Sequence, residues 1–410
     1  MRHRIRWSLL CLALMMILSS SLPVCAADGD ASSSEETAQE PAHDITRRCR
    51  FRGQLSGYSL GAALDHGLFD AFYPLPGEEY IDIFLPEDAR CGGVFMDFVK
   101  IPEYWAICRV TESGEEFLRA EGRGSDQYQQ FADLGAYPVP EHLRLYADEL
   151  ALMEIRVYDD AGPMTGPLVR NWRERPEKAE LMVVSTHPDD EVIFLGGVLP
   201  TYAGQGGKDT VVVYMSCAIR QRASELLNGL WTSGVRQYPV IGNFPDRKTH
   251  SLNEARTLWN DEDCQRYLVE QIRRYKPEVL VTQDTHGEYG HGAHQLTVYS
   301  VKRAIRLAQD PDAFPDLTEK YGTWEVKKVY LHLYPRGEIV MDWRQPLDFF
   351  GGKTALEVAQ TAILEHQSQP RWHDRVVDTG PYANNRFGLF YSAVGPDEAG
   401  NDLFEHIPAS

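Results

Sequence analysis

The sequence predicts an all-β sandwich followed by an α/β domain, in which a parallel sheet carries helices on both faces. Three observations carry this expectation. Short alternating or apolar runs, separated by Gly, Pro and charged turns, fill residues 46–160. From residue 179 the rhythm changes to strand then helix. His187-Pro188-Asp189-Asp190-Glu191 then stands where the first of those strands should end, the edge at which open α/β sheets place their chemistry.

In chain order, Arg2, Arg4 and Arg6 precede an apolar run from Trp7 to Leu18, and Val24-Cys25-Ala26 is a small-residue cleavage site. Residues 1–26 therefore read as a secretory signal peptide, and the protein is expected to be secreted or held at the cell surface. Cys25 invites a lipid anchor, but Leu22-Pro23-Val24 fits a lipobox poorly. No other run is long enough to span a bilayer. Residues 27–45 are acidic and Ser-rich, without apolar periodicity, and are expected to form a disordered tether.

The sandwich, residues 46–160, rests on strands expected at Tyr80–Leu85, Val94–Phe98, Trp105–Val110, Leu143–Tyr146 and Leu152–Tyr158. Pro163, Pro167 and Pro176 mark residues 161–178 as a linker. The α/β domain spans 179–395, with strands expected at 181–186, 210–216, 238–243, 278–283 and 326–333. Its helices are expected at 190–204, 220–235, 261–275, 293–309 and 354–367. Residues 396–410 form a C-terminal tail, and the segment Asp374–His406, rich in turns and aromatic residues, is expected to cover the site.

Composition narrows the partners. Sixty acidic against 41 basic residues give a net charge of −19, which argues against nucleic acid and anionic membranes. Gly196-Gly197 falls inside an expected helix, and no Gly-x-Gly-x-x-Gly follows the first α/β strand, so nucleotide binding is not expected. Beyond the leader lie Cys49, Cys91, Cys108, Cys217 and Cys264. Export permits disulfides, and one bridge among the first three is expected.

One imidazole and three carboxylates within His187–Glu191 are costly together unless a cation sits among them. A second segment, Thr285-His286-Gly287-Glu288-Tyr289-Gly290-His291-Gly292-Ala293-His294, follows the β-branched run Val279–Thr282 and should leave the same sheet edge. His291 and His294 stand three apart on one face of a helix start. Catalytic zinc keeps three protein ligands and a water. His187, Asp190 and His294 would make such a set and leave a carboxylate over as a base. Zinc, a base and a second imidazole together hydrolyse amides or esters.

The two motifs, His-Pro-Asp-Asp-Glu and a distant Tyr-Gly-His-x-x-His, resemble the signature of the LmbE/PIG-L family of zinc-dependent N-acetylglucosaminyl deacetylases, over roughly residues 178–395. The resemblance implies a Rossmann-like catalytic domain and one Zn2+ per chain on His187, Asp190 and His294; iron or cobalt suits the same ligands. It implies Asp189 as general base, and His291 as the imidazole that stabilises the oxyanion or protonates the leaving amine. It implies Arg222, Asp246 and Tyr289 as substrate contacts, and His366-Gln367-Ser368-Gln369 is similar to another family segment. Many members have an Asp before the last histidine where this chain has Ala293. Either Glu288 or another acid replaces that carboxylate, or His291 is a weaker acid. The β part loosely resembles discoidin-type, galactose-binding-like jelly rolls, which implies a structural or a glycan-docking role.

Three functions fit: a secreted deacetylase of an N-acetylglucosamine-containing glycan or glycoconjugate, a zinc amidase on another amide conjugate, or a glycan-binding relative without turnover. Retention of Asp189 favours the enzymes, since a binder needs no base.

Overall fold

The computed structural model describes residues 42–55, 71–135, 142–165, 168–217 and 219–408. The expected signal peptide, and the tether as far as residue 41, lie outside them. Among the described residues no helix is long and apolar enough to cross a membrane.

Ten strands form the β part: β1 (Arg50–Arg52), β2 (Gln54–Leu55), β3 (Phe72–Tyr73), β4 (Tyr80–Phe84), β5 (Cys91–Phe98), β6 (Tyr104–Thr111), β7 (Gly114–Arg123), β8 (Gln129–Asp133), β9 (His142–Ala147) and β10 (Leu152–Asp159). They make two antiparallel sheets, ordered β1-β4-β9-β6-β7 and β2-β3-β10-β5-β8. Ile81, Ile107, Leu143 and Leu145 of the first sheet share one apolar core with Val94, Met96, Leu152 and Val157 of the second.

The β part begins earlier than expected. Residues 42–45, assigned to the tether, are packed: Ala42 and Ile45 are buried, Asp44 bridges to Tyr158, and the Arg156 guanidinium donates to Asp44 at 2.6 Å. The expected disulfide among Cys49, Cys91 and Cys108 is not formed. All three are thiols, and the Sγ atoms of Cys49 and Cys91 donate to the carbonyls of Ile45 and Gly93.

The α/β part is built on β11 (Leu181–Ser185), β12 (Thr210–Tyr214), β13 (Val240–Ile241), β14 (Val279–Thr282), β15 (Lys328–His332), β16 (Glu338–Val340) and β17 (Arg386–Ser392), ordered β13-β12-β11-β14-β15-β17-β16. The first five run parallel. β17 runs antiparallel to both β15 and β16, so the sheet is mixed at one edge rather than wholly parallel. Both faces of β11 are covered. Leu181 and Val183 pack with Leu226, Leu230 and Ala359, while Met182 and Val184 pack with Leu268, Ile272 and Leu296. Burial on both faces is why these strands read as unbroken apolar runs.

The helices are α1 (Asp190–Ile193), α2 (Arg220–Thr232), α3 (Leu252–Ala255), α4 (Asp261–Tyr275), α5 (Gly292–Leu307), α6 (Pro315–Tyr321) and α7 (Ala355–Ala362). Their ends follow local chemistry. Asn260 caps α4 by accepting from the amides of Glu262 and Asp263, and Thr354 and Glu357 form a reciprocal capping box on α7. The helix expected over 190–204 is interrupted. Gly196 takes φ 41° where a Cβ would meet Asn384, and the chain resumes as a π-helix over Leu199–Gln205.

The segment expected as a linker is packed instead. Arg170 makes a bidentate contact with Glu154, at 2.9 and 3.0 Å, and donates to Asn228 Oδ1 at 2.6 Å. Trp172 Nε1 donates to Gln129 Oε1 at 2.9 Å. Across the same seam Arg220 of α2 reaches the Phe98 carbonyl and the Asp97 carboxylate of β5. Residues 40–410 accordingly form one compact unit. Arg170→Ala would remove from the buried Glu154 carboxylate its bidentate cation, with Arg156 still beside it. The expected cost is about 3 kcal/mol of unfolding free energy, read from the midpoint of urea denaturation.

The C-terminal segment also departs from expectation. Residues 386–392 are strand β17, Lys328 and Tyr330 hold Asp397, and Leu403 and Phe404 are buried in the core. It completes the sheet rather than covering the site.

Candidate metal centre

Strand order sets the place of the site. From β11 the chain steps one way to β12 and β13, and the other way to β14 and β15. The crevice beyond the carboxyl ends of β11 and β14 is thus the topological switch point, where such sheets bind ligands. Both sequence motifs emerge there. Gln283, just after β14, ties the two strand ends together: its Oε1 accepts from Thr186 N at 2.9 Å and from the Thr186 hydroxyl.

Three donor atoms meet in the crevice. His187 Nδ1 lies 3.1 Å from Asp190 Oδ2, His294 Nε2 lies 3.2 Å from the same oxygen, and the two ring nitrogens are 3.2 Å apart. A tetrahedral ion bonded at about 2.0–2.1 Å spaces its donors by about 3.3 Å. The triangle therefore matches the expected ligand set His187, Asp190 and His294. His291 is beside it, with its ring centroid 5.0 Å from that of His187 and 4.6 Å from that of His294. The donor atoms of His187, His291 and His294 all lie within 4.8 Å of one another. Asp190 Oδ2 adds a third donor at 3.1 and 3.2 Å from the His187 and His294 nitrogens.

The electrostatics call for a cation. Burial alone would raise the Asp190 carboxyl, but His294 and His187 outweigh it and hold the group well below its usual range. Burial alone would lower His294, yet Asp190 and Glu288 push it up to about 10. A metal ion bound here would supply the positive charge that a proton on His294 otherwise provides.

Asp189 follows in the chain but faces differently. Its backbone has φ 102° in the turn between β11 and α1, and its carboxylate meets Arg222 rather than the histidines. Non-glycine residues rarely adopt that conformation, and a functional site is where such strain is tolerated. Glu191 Oε2 accepts the Asp189 amide at 3.2 Å, beneath the site. Burial raises the Asp189 carboxyl well above its usual range, helped by Asp190 and opposed by Arg222. Arg222 Nη2 lies 3.3 Å from Asp189 Oδ2 and donates to the Pro188 carbonyl at 2.6 Å, while Nη1 donates to Asp246 Oδ2 at 2.7 Å. Asp246 Oδ1 is 3.8 Å from His187 Nε2. Arg222 and Asp246 are thus held together over the metal triangle.

These residues open into a cavity of about 300 Å³, lined also by Tyr289, Gln369, Arg371 and Trp372. Tyr289 is 42% exposed, and its ring stacks on Trp372 at 5.6 Å and 27°. Seven of the eight residues expected in the site line this cavity, and the eighth, the fully buried His294, meets Asp190 and His187 behind it. Trp372 and Arg371 were not foreseen; they follow directly on His366–Gln369, which had been noted only as a family-like segment. Ser368 anchors that segment by donating its amide and hydroxyl to Glu225 of α2, at 2.9 and 2.6 Å.

Glu288 does not take the place of the carboxylate missing at Ala293. Its Oε2 is 2.7 Å from His294 Nδ1, so it serves the other histidine. His291 Nδ1 is buried without a hydrogen-bond partner, and burial, with His294 and His187 adding to it, lowers its pKa to about 3. The alternative of a weaker acid at His291 fits this geometry.

Residues 182–305 match the PIG-L family model, described as GlcNAc-PI de-N-acetylase. A 1D-myo-inositol 2-acetamido-2-deoxy-alpha-D-glucopyranoside deacetylase from Streptomyces scabiei is 29% identical over 191 residues, which are 39% of this chain and 57% of that protein. The protein of the same name from Geodermatophilus obscurus is 29% identical over 188 residues, 38% of this chain and 62% of the relative. The chain thus spans less than two thirds of the length of these curated relatives. Among solved structures, N,N'-diacetylchitobiose deacetylase from Pyrococcus horikoshii aligns with a TM-score of 0.40 and 16% identity, covering 52% of this chain and 84% of that one.

Proposed function

We propose that the α/β part hydrolyses the N-acetyl amide of an N-acetylglucosamine-containing glycan or glycoconjugate, releasing acetate and leaving the free amine. The observation that carries this reading is the triangle of His187 Nδ1, Asp190 Oδ2 and His294 Nε2, with edges of 3.1–3.2 Å, and Asp189 beside it in the same cavity. The family match and the names of the two relatives support the amide and the amino sugar.

Zinc on those three ligands would polarise the amide carbonyl and lower the pKa of a water toward neutrality. Asp189 is the carboxylate beside the ligand set that would accept a proton from the attacking water as the carbonyl carbon is attacked. Arg222, 3.3 Å from Asp189 Oδ2, holds the base in its orientation. His291 presents a partnerless Nδ1 in the same cavity and steadies the tetrahedral intermediate or protonates the leaving nitrogen as the C–N bond breaks. Asp246 offers an acceptor to sugar hydroxyls, and the Tyr289–Trp372 stack forms an aromatic wall for the ring.

The test is acetate release by the zinc-loaded full chain on N-acetylglucosamine monosaccharides, oligosaccharides and glycoconjugates. Release is expected from at least one of them. Zinc bound at one per chain without acetate release would overturn the reading, and would favour another amide or a binding role.

A further inference from the structure

His294 has two ring nitrogens with opposite duties. Nε2 stands in the donor triangle, so it must offer a lone pair there. Nδ1 must then carry the hydrogen. Two side chains face Nδ1, Gln283 Nε2 at 3.0 Å and Glu288 Oε2 at 2.7 Å; the shorter contact is to the carboxylate oxygen, which can only accept and so selects the Nδ1–H form.

Glu288 is itself bracketed. Its Oε1 accepts the Asp284 amide at 2.8 Å and lies 3.3 Å from His332 Nδ1. His332 Nε2 lies 3.1 Å from the Ala383 carbonyl, another group that only accepts. Both nitrogens of His332 therefore face oxygen atoms, one of Glu288 and one of the Ala383 carbonyl. The side chains of His294, Glu288 and His332 are all 0% exposed, so water does not substitute for any of these partners. His332 ends β15, the strand next to β14. The chain of contacts thus fastens the turn after β14 to the neighbouring strand. Glu288 adopts φ 53° between the positive-φ glycines Gly287 and Gly290, a turn that carries its carboxylate back under His294.

We propose that Glu288 and His332 are positioning residues for the metal: Glu288 fixes the Nδ1–H form of His294, and His332 holds Glu288 in place to do so. This rests on the reading of His294 as a metal ligand. Carboxylates behind metal-bound histidines orient the ring and raise its basicity, and their loss commonly costs about 10–100-fold in metal affinity.

The experiment is zinc affinity by competition with a chromogenic chelator, on the full chain and on Glu288→Gln, His332→Gln and the double variant. Thermal unfolding of the metal-free forms checks folding. Glu288→Gln is expected to weaken zinc by about 10-fold or more, and His332→Gln by a smaller factor of about 3. Because His332 acts through Glu288, the double variant is expected to match Glu288→Gln rather than to add the two losses. A purely structural role would lower the unfolding temperature and leave the affinity unchanged, or give additive losses; either result overturns the proposal. If Glu288→Gln does not fold, unchanged affinity in His332→Gln overturns it. Absence of zinc binding by the unsubstituted chain would sink the metal reading as well, whereas normal binding by both single variants sinks this proposal alone.

Discussion

Asp189→Asn is expected to keep its zinc and to lose about 10²–10⁴-fold in kcat, the contribution of a positioned general base. The substitution is a narrow one. Asn matches Asp in size and tolerates positive φ comparably, so the turn at φ 102° should survive. The donor triangle of His187, Asp190 and His294 does not use Asp189, so the metal has no reason to leave. What disappears is the carboxylate proposed as the base, which lies 3.3 Å from Arg222 Nη2. Zinc content and the rate of acetate release, measured on one preparation, separate these effects. A rate within a few-fold of the unsubstituted protein would remove Asp189 from the mechanism.

His294→Ala is expected to abolish zinc binding, and turnover with it. It deletes one corner of the triangle and leaves the fully buried Glu288 without its shortest side-chain hydrogen bond. That loss alone should destabilise the fold by on the order of 2 kcal/mol. The informative control is His291→Ala. His291 lies close enough to form an alternative three-histidine set with His187 and His294, but it does not share the 3.1–3.2 Å spacing through Asp190. His291→Ala should therefore keep one zinc per chain while slowing hydrolysis, and Asp190→Ala should lose the metal. The reverse pattern of zinc content would place His291, not Asp190, in the ligand set.

Some of this molecule was legible in the chain because the signals are local. Unbroken apolar runs such as Leu181–Val184 and Val279–Val281 belong to strands buried on both faces, and their positions emerged close to those expected. The five parallel strands and helices α2, α4 and α5 fall within the expected ranges to within a few residues. The interruption at Gly196 was not legible, since it depends on Asn384 approaching from almost two hundred residues away. Nor were β16, which is only three residues long, and β17, whose apolar run is broken by Gly388. The packed segment 161–178 was misread because its prolines are turn signals, while Arg170 and Trp172 find their partners only across the seam.

The residue types of the site, and their order along the chain, follow from sequence: an imidazole and carboxylates at one strand end, two imidazoles three apart at another. Chemistry of that kind depends on which groups are present, and composition within five or ten residues is enough to state it. The roles of individual groups depend on distances across strands. Glu288 was weighed as a partner for His291 and stands instead behind His294, at 2.7 Å, because its turn folds back under the helix start. His332, Trp372 and Glu225 carry no motif of their own. They join the site because β15 lies beside β14, and because Ser368 docks on α2. Sequence spacing sets what a segment contains, but only packing between segments far apart in the chain sets which atom faces which.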